Sequence, residues 1–343
     1  MSAVVMTEPQ SPSRSPLSPS SSSPLAADEA AAVFAEHRRY LWAVCYRLTG
    51  DTLDAEDLVQ ATFERALSRP PEDRARPWRP WLTRVASNLA IDLLRRRKHA
   101  AYDGPWLPAP VEDLIEVDGW TREHHGEWPA LGSREHDDAE RRYGQLESAR
   151  FAFLLALETL DPRARAVLIL RDVLGYTGPE VADALALTPA NVRVILHRAH
   201  KQLDAALVDT PTPAPSGPAQ AAAIARFMAA LASGDLEALT QLLADDVRTT
   251  SDAAGEFLAA RKIVTGRDRV VALFRGLANG AAPRWTQMRQ LNGEPALITE
   301  LEPGGRRIAP RLVMRVELDG DGRIAAVHLV LASRKLAGVR WPG

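Results

Sequence analysis

The chain has 343 residues, a formal net charge of −2 and a single cysteine. That length exceeds one ordinary core and sets an expectation of several modules, and one cysteine excludes an internal disulfide framework or a multi-cysteine zinc site. Charge is informative only locally, because acidic stretches (Asp51–Glu56, Glu112–Glu116, Glu135–Glu140) alternate with basic ones (Arg95–Lys98, Arg193–Lys201).

Residues 1–26 are rich in Ser and Pro, lack the charged start and apolar stretch of a secretory signal, and are read as a disordered tail. No apolar run approaches the roughly 18 residues of a membrane helix, so no membrane partner is expected and the location is read as cytoplasmic. Over 27–99, apolar residues recur at helical spacing: Val33, Leu41, Val44 and Leu48, then Leu53, Leu58, Phe63 and Leu67, then Trp81, Val85, Leu89 and Leu93. This predicts an all-helical bundle, with Gly50 ending its first helix and Pro clusters at 69–71 and 76–80 interrupting it. Cys45, between Leu41 and Leu48, is read as a small core residue.

Asp54, Glu56 and Asp57 crowd the first turn of a helix, where they serve either the helix dipole or a basic partner. Arg84, Asn88 and Asp92 recur every four residues on one face of Trp81–Lys98, which ends in Arg95-Arg96-Arg97-Lys98. Such a face can meet nucleic acid, although terminal cations also suit a helix C-terminus. Trp78 and Trp81 could stack on unpaired bases, but Trp81 is in phase with Val85 and Leu89 and is read as core.

Residues 100–143 read as a linker. Its Glu123-His124-His125-Gly126-Glu127 and His136-Asp137-Asp138 stretches lack the i, i+4 spacing of a helical ligand pair, so no metal is expected. A second helical block spans 144–208. In it Asp161-Pro162 opens one helix, Pro179–Leu185 forms another, and Thr188-Pro189 opens a third, the order of a helix-turn-helix. On the third, Val192, Ile195, Leu196 and Ala199 face inward. Thr188, Asn191 and Arg193 are placed to read base edges, and Arg198 and Lys201 to meet phosphates, as against a merely solvated basic face.

A Pro-rich linker at 209–218 precedes a third unit, 219–343. Helices are predicted at 219–232, 235–244 and 267–278, and strands at 284–291, 294–301, 309–318 and 323–332, an α+β order with a hairpin at Asp319-Gly320-Asp321-Gly322.

Tyr46-Arg47-Leu48-Thr49-Gly50, Asp54 to Phe63 and Trp81 to Asp92 closely resemble region two of the sigma-70 family, and the helix-turn-helix through His197-Arg198-Ala199 resembles its region four. With no third sigma region between them, the chain resembles the extracytoplasmic-function group. Trp106-Leu107-Pro108-Ala109-Pro110 is similar to the Trp-Leu-Pro-Glu-Pro signature of the subgroup with a SnoaL-like extension, and 219–343 opens as that fold does. The fold class implied is multidomain: two all-α sigma domains, a helical bundle and a helix-turn-helix, followed by an α+β SnoaL-like cone.

The resemblance implies that Asp54, Glu56, Asp57 and Gln60 face the clamp helices of core RNA polymerase, whose flap is a further contact of the protein. It assigns Arg84, Asn88, Asp92, Arg95 and Arg96 to the minus-ten element, and Thr188, Asn191, Arg193, Arg198 and Lys201 to the minus-thirty-five element. Promoter DNA is then a partner, no catalytic residue or cofactor is implied, and the phosphodiester chemistry belongs to the core enzyme. The extension is similar to an internal regulator acting through Trp106, Leu107, Pro108, Asp252, Gly255, Lys335 and Leu336. Asp252-Ala253-Ala254-Gly255-Glu256 stands for the subgroup's Asp-Gly-Gly-Gly-Lys, and Ser333-Arg334-Lys335-Leu336 for its Asn-Pro-Asp-Lys-Leu. Two alternatives use the extension differently: a ligand-sensing DNA-binding regulator with a small molecule in the cone, and a cyclase or isomerase fused to a DNA-binding module. The second has only His328 to offer, a lone histidine on an apolar strand. A stand-alone repressor leaves 30–98 unexplained.

Overall fold

In the computed structural model of the chain, the described residues are 27–73, 76–100, 102–112, 150–208, 217–278, 282–302 and 307–342. Three helices open the fold: α1 (Ala27–Thr49), α2 (Thr52–Ser68) and α3 (Trp78–His99), packed around Leu41, Val44, Leu48, Leu58, Val59, Leu82, Ala86 and Ala90. Gly50 ends α1 by taking φ +66 and returning its N–H to the Tyr46 carbonyl at 2.7 Å. Asp51 then caps α2, its carboxylate accepting from the Leu53 and Asp54 N–H groups at 3.0 and 3.1 Å.

Periodicity misplaces two details here. Leu53 and Leu67 are exposed. On α3 the core face is Leu82, Thr83, Ala86, Ser87, Ala90, Ile91 and Leu94, while the expected line of Trp81, Val85, Leu89 and Leu93 is half-buried beside it. Small residues on that face let the helix axes approach, and the larger side chains seal the flank.

The second block comprises α4 (Phe151–Ala156), a 3-10 turn (Leu157–Thr159), α5 (Pro162–Leu168) running into a π turn (Ile169–Val173), α6 (Gly178–Ala184) and α7 (Pro189–Val208). Two of its caps follow the sequence, Asp161 receiving the Arg163 and Ala164 N–H groups and Thr188 Oγ1 accepting from Asn191 at 3.2 Å, and Thr177 with Glu180 adds a capping box at the start of α6. Val181, Ala182, Val192, Ala199 and Leu203 pack the helix-turn-helix into the same core as the first bundle. Buried hydroxyls tie the two blocks, Tyr40 lying 2.9 Å from Thr83 Oγ1 and 3.2 Å from the Tyr176 hydroxyl.

The extension adds α8 (Gly217–Ser233), α9 (Leu236–Leu242), β1 (Leu243–Asp252), β2 (Val264–Thr265), α10 (Arg267–Ala278), β3 (Pro283–Leu291), β4 (Glu294–Leu301), β5 (Arg311–Leu318), β6 (Ile324–Val330) and a 3-10 segment (Ser333–Gly338). The sheet order is β2-β1-β6-β5-β4-β3, with β1 parallel to β6 and the other pairs antiparallel. β1 lies where sequence reading placed a helix end and a loop. Its Asp, Thr and Ser content is poor in local strand propensity, and its partner β6 is distant in sequence. Alternation along the strands gives the sheet two apolar faces. Leu297, Met314 and Leu329 meet Phe227, Val270 and Phe274 of the extension's own helices. Ile298, Val313 and Val330 meet Leu107 and Phe151, so the other face is roofed by the linker and α4.

Candidate nucleic-acid interface and linker clamp

Asp51 is the N-cap of α2 and Asp54 is the acid of its first turn, where the helix dipole favours it, whereas Glu56 and Asp57 fall a turn later than the sequence suggests. Asp57 and Gln60 are exposed, and Glu56 accepts two bonds from Arg38 at 3.2 Å. Asp54 is covered from the far end of the chain, where Arg334 of the 3-10 segment pairs with it and approaches Asp51 at 3.8 Å. Burial and neighbouring Asp51 raise the Asp54 carboxyl, against the pull of Arg334 and Arg97.

Arg84 and Asn88 face the helix-turn-helix. Asn88 Nδ2 donates to the Ala184 carbonyl at 3.0 Å, and Arg84 lies 3.6 Å from Asp183, both on α6. Asp92 and Arg95 pair at 3.6 Å on the surface and Arg96 is exposed. On the third helix Thr188, Asn191, Arg193, Arg198 and Lys201 are all exposed, over the buried Val192 and Ala199 and the half-buried Ile195 and Leu196. That is a polar and basic face on a packed helix, the form a major-groove reader needs.

The linker segment Leu107–Val111 lies between the first bundle and the extension. The Leu107 N–H donates to Asp252 Oδ2 at 2.7 Å and its carbonyl accepts from Lys335 Nζ. Ala109 N–H reaches the Gly50 carbonyl at 2.8 Å, and its carbonyl accepts from the Tyr46 hydroxyl at 2.8 Å. The Val111 carbonyl accepts from the Asn292 N–H at 2.9 Å, and the Val111 N–H donates to the Asn292 side-chain Oδ1 at 3.2 Å. Pro108 and Pro110 carry no N–H, so each buried donor in this stretch has an acceptor, which is the physical use of a Pro-x-Pro spacing here. Ala109, standing for the signature's acid, is fully buried.

Asp252 is itself fully buried at the end of β1 and also receives the Tyr102 hydroxyl and Lys335 Nζ, both at 2.5 Å. Burial lowers the Lys335 ammonium to about 8 despite the pull of Asp252. Trp106 stands between two cations, with Arg97 4.5 Å and Lys335 4.1 Å from its ring. Gly255, at φ +75, lets the loop after β1 approach the linker, since a Cβ there would stand 2.7 Å from Asp103. Glu256 accepts from the Ser333 N–H at 3.2 Å, and Leu336 packs with Leu107, Phe151 and Val330. The expected linker and extension residues therefore converge on one site.

Sequence reasoning missed Arg334, Phe151 and Asn292 as contacts. Asn292-Gly293 between two strand predictions does signal a tight turn, but nothing local marks its tip as buried. His328 is on the sheet face under α4, 5.2 Å from the Phe151 ring and 3.0 Å from Glu317. Two cavities open on the extension: one beside the 3-10 segment, lined by Arg311, Ser333, Leu336 and Trp341 among others, has about 440 Å3, within the size range of small-molecule sites, and one beside the loop after β1, lined by Phe257, Leu258, Arg261 and Arg307 among others, has about 110 Å3, below it. Among the described residues no group of three His, Cys, Asp or Glu is placed to hold a metal, and no helix is long and apolar enough to cross a membrane. The two histidine-containing linker stretches and the Ser-rich tail lie outside the described residues.

Comparison with known proteins agrees with this arrangement. The Sigma-70 region 2 model matches residues 33–100, the Sigma-70 region 4 model 150–203 and the SnoaL-like domain model 224–327. The class is thus a sigma-70-type transcription factor with an α+β extension. ECF RNA polymerase sigma factor SigJ of Mycobacterium tuberculosis is 34% identical over 88% of this chain and 91% of its own length. SigG of the same organism is 33% identical over 81% of this chain and 76% of its own. The crystal structure of M. tuberculosis extracytoplasmic function sigma factor SigJ superposes with a TM-score of 0.63 at 28% identity, covering 90% of this chain and 98% of that one. The chain belongs to the ECF RNA polymerase sigma factors.

Proposed function

We propose that this sigma factor docks core RNA polymerase through Asp54, Glu56, Asp57 and Gln60, and reads promoter DNA with two surfaces. Arg84, Asn88, Asp92, Arg95 and Arg96 serve the minus-ten element, and Thr188, Asn191, Arg193, Arg198 and Lys201 the minus-thirty-five element. The extension regulates access to these surfaces through Trp106, Leu107, Pro108, Asp252, Gly255, Lys335 and Leu336, and the protein works in the cytoplasm with the polymerase. One observation carries the regulatory part: Arg334 of the extension is paired with Asp54, one of the proposed polymerase-docking acids. The extension acts here by contact rather than by catalysis. Its one histidine, His328, is buried beneath α4.

The test is promoter transcription with purified core polymerase, comparing the full chain, a truncation after Leu207, Arg334→Ala and an Asp54/Asp57 double substitution to Ala. Initiation is expected from the full chain and is lost in the double substitution. A promoter output that neither truncation nor Arg334→Ala alters would remove the regulatory role.

A further inference from the structure

We propose that the β3–β4 turn, Asn292-Gly293, is a second anchor of the extension and closes a two-ended clamp on Leu107–Val111. Two-residue hairpin tips ordinarily face water, where their polar groups are hydrated. Here Asn292, in the left-handed region at φ 53, is fully buried. Its N–H donates to the Val111 carbonyl at 2.9 Å and its Oδ1 accepts the Val111 N–H at 3.2 Å. Its Nδ2 donates to the Tyr46 hydroxyl at 2.6 Å, and that hydroxyl donates onward to the Ala109 carbonyl. The network fixes the amide orientation, because the Val111 donor demands Oδ1 and the committed Tyr46 hydroxyl demands the NH2 group.

The same device operates at both ends. Asp252 and Lys335 satisfy the N–H and C=O of Leu107, and Asn292 satisfies both groups of Val111. Three residues, Pro108-Ala109-Pro110, separate the ends. A short stiff spacer keeps a released end near its site, so either anchor alone re-forms the other, and only loss of both leaves the segment held by Ala109 alone, too little to protect its amides. This inference rests on the regulatory reading for its consequence but not for its geometry.

Hydrogen exchange of the full chain, read at the single amides of Leu107, Ala109 and Val111, tests it. Asn292→Gly keeps the left-handed backbone and removes the side chain, and Lys335→Met removes the other end's donor while keeping most of the aliphatic stem. Asn292→Gly is expected to speed exchange at Val111 about tenfold and to spare Leu107. The pair of substitutions should release all three amides by more than the product of the single effects. Tyr46→Phe, which leaves the turn intact, should loosen the same Val111 amide, and combining it with Asn292→Gly should add little. A Val111 amide as protected in Asn292→Gly as in the parent, or a merely multiplicative double variant, overturns the clamp. Release of all three amides with promoter transcription unchanged upholds the clamp and removes the regulatory reading instead.

Discussion

Trp106 shows how much depends on single positions. Its ring is held between the Arg97 guanidinium and the Lys335 ammonium, contacts that strengthen when the cations are shielded from water. The ring fits because position 50 has no side chain: a Cβ on Gly50 would stand 2.7 Å from Trp106 Cη2, and the φ of +66 disfavours any other residue. Gly50→Ala is expected to cost about 2 kcal/mol from backbone strain and displacement of the ring, measured as a lowered unfolding midpoint in urea. Lys335 adds a pH dependence. Its native pKa of about 8 lies below the ordinary 10.5, so between those values the unfolded chain holds the proton that the folded chain has lost. Stability from this group therefore rises with pH across that window, by about 3 kcal/mol in full. Thermal unfolding from pH 7 to 10 should show the parent gaining on Lys335→Met as pH increases. A constant difference between the two would remove this account of the buried cation.

At the scale of elements, α7 carries the clearest functional expectation. Exposed Arg198 and Lys201 follow the first turn, so each, changed to Ala, should weaken DNA binding across sequences and lower the salt slope by about 1. Asn191→Ala should instead relax discrimination at one base pair, by about 1–3 kcal/mol. Titrations on matched and single-mismatch promoters at several salt concentrations separate these outcomes. The flanking helices were legible because their caps are local: Asp161 and Thr188 each bond within three residues of themselves. The strands from β3 to β6 were legible for a similar reason, since alternation and turn residues recur within each hairpin. β1 was not, because its pairing with β6 is parallel and long-range. The core face of α3 was offset because periodicity registers large apolar residues, whereas the buried line includes Thr83, Ala86, Ser87 and Ala90. The convergence of Asp252, Lys335 and the linker was legible only through family resemblance. Arg334 and Asn292 required the fold, since their partners are 280 and 246 positions away.

For the whole molecule, the packing of α3 against α6 sets a geometric limit. Asn88 and the Ala184 carbonyl are 3.0 Å apart, which places the proposed minus-ten reader against the helix-turn-helix. Elements named minus ten and minus thirty-five are about 25 base pairs apart, or roughly 80 Å along the duplex at about 3.4 Å per pair. On the proposed assignments the two surfaces cannot engage both elements while α3 and α6 touch, so initiation is expected to need the two blocks to separate. Cys45 simplifies the measurement, because it is fully buried and burial raises its thiol pKa, leaving introduced surface cysteines to be labelled selectively. Fluorophores on Glu64→Cys and Gln202→Cys, both exposed positions, should give high energy transfer in the free chain and low transfer once core polymerase and promoter DNA are added. Tyr176→Phe, which removes a hydroxyl contacting Tyr40, should lower transfer in the free chain by weakening the tie between the blocks. If transfer stays high in the initiation complex, α3 and α6 remain together on DNA, and the minus-ten assignment of Arg84 and Asn88 fails with the opening.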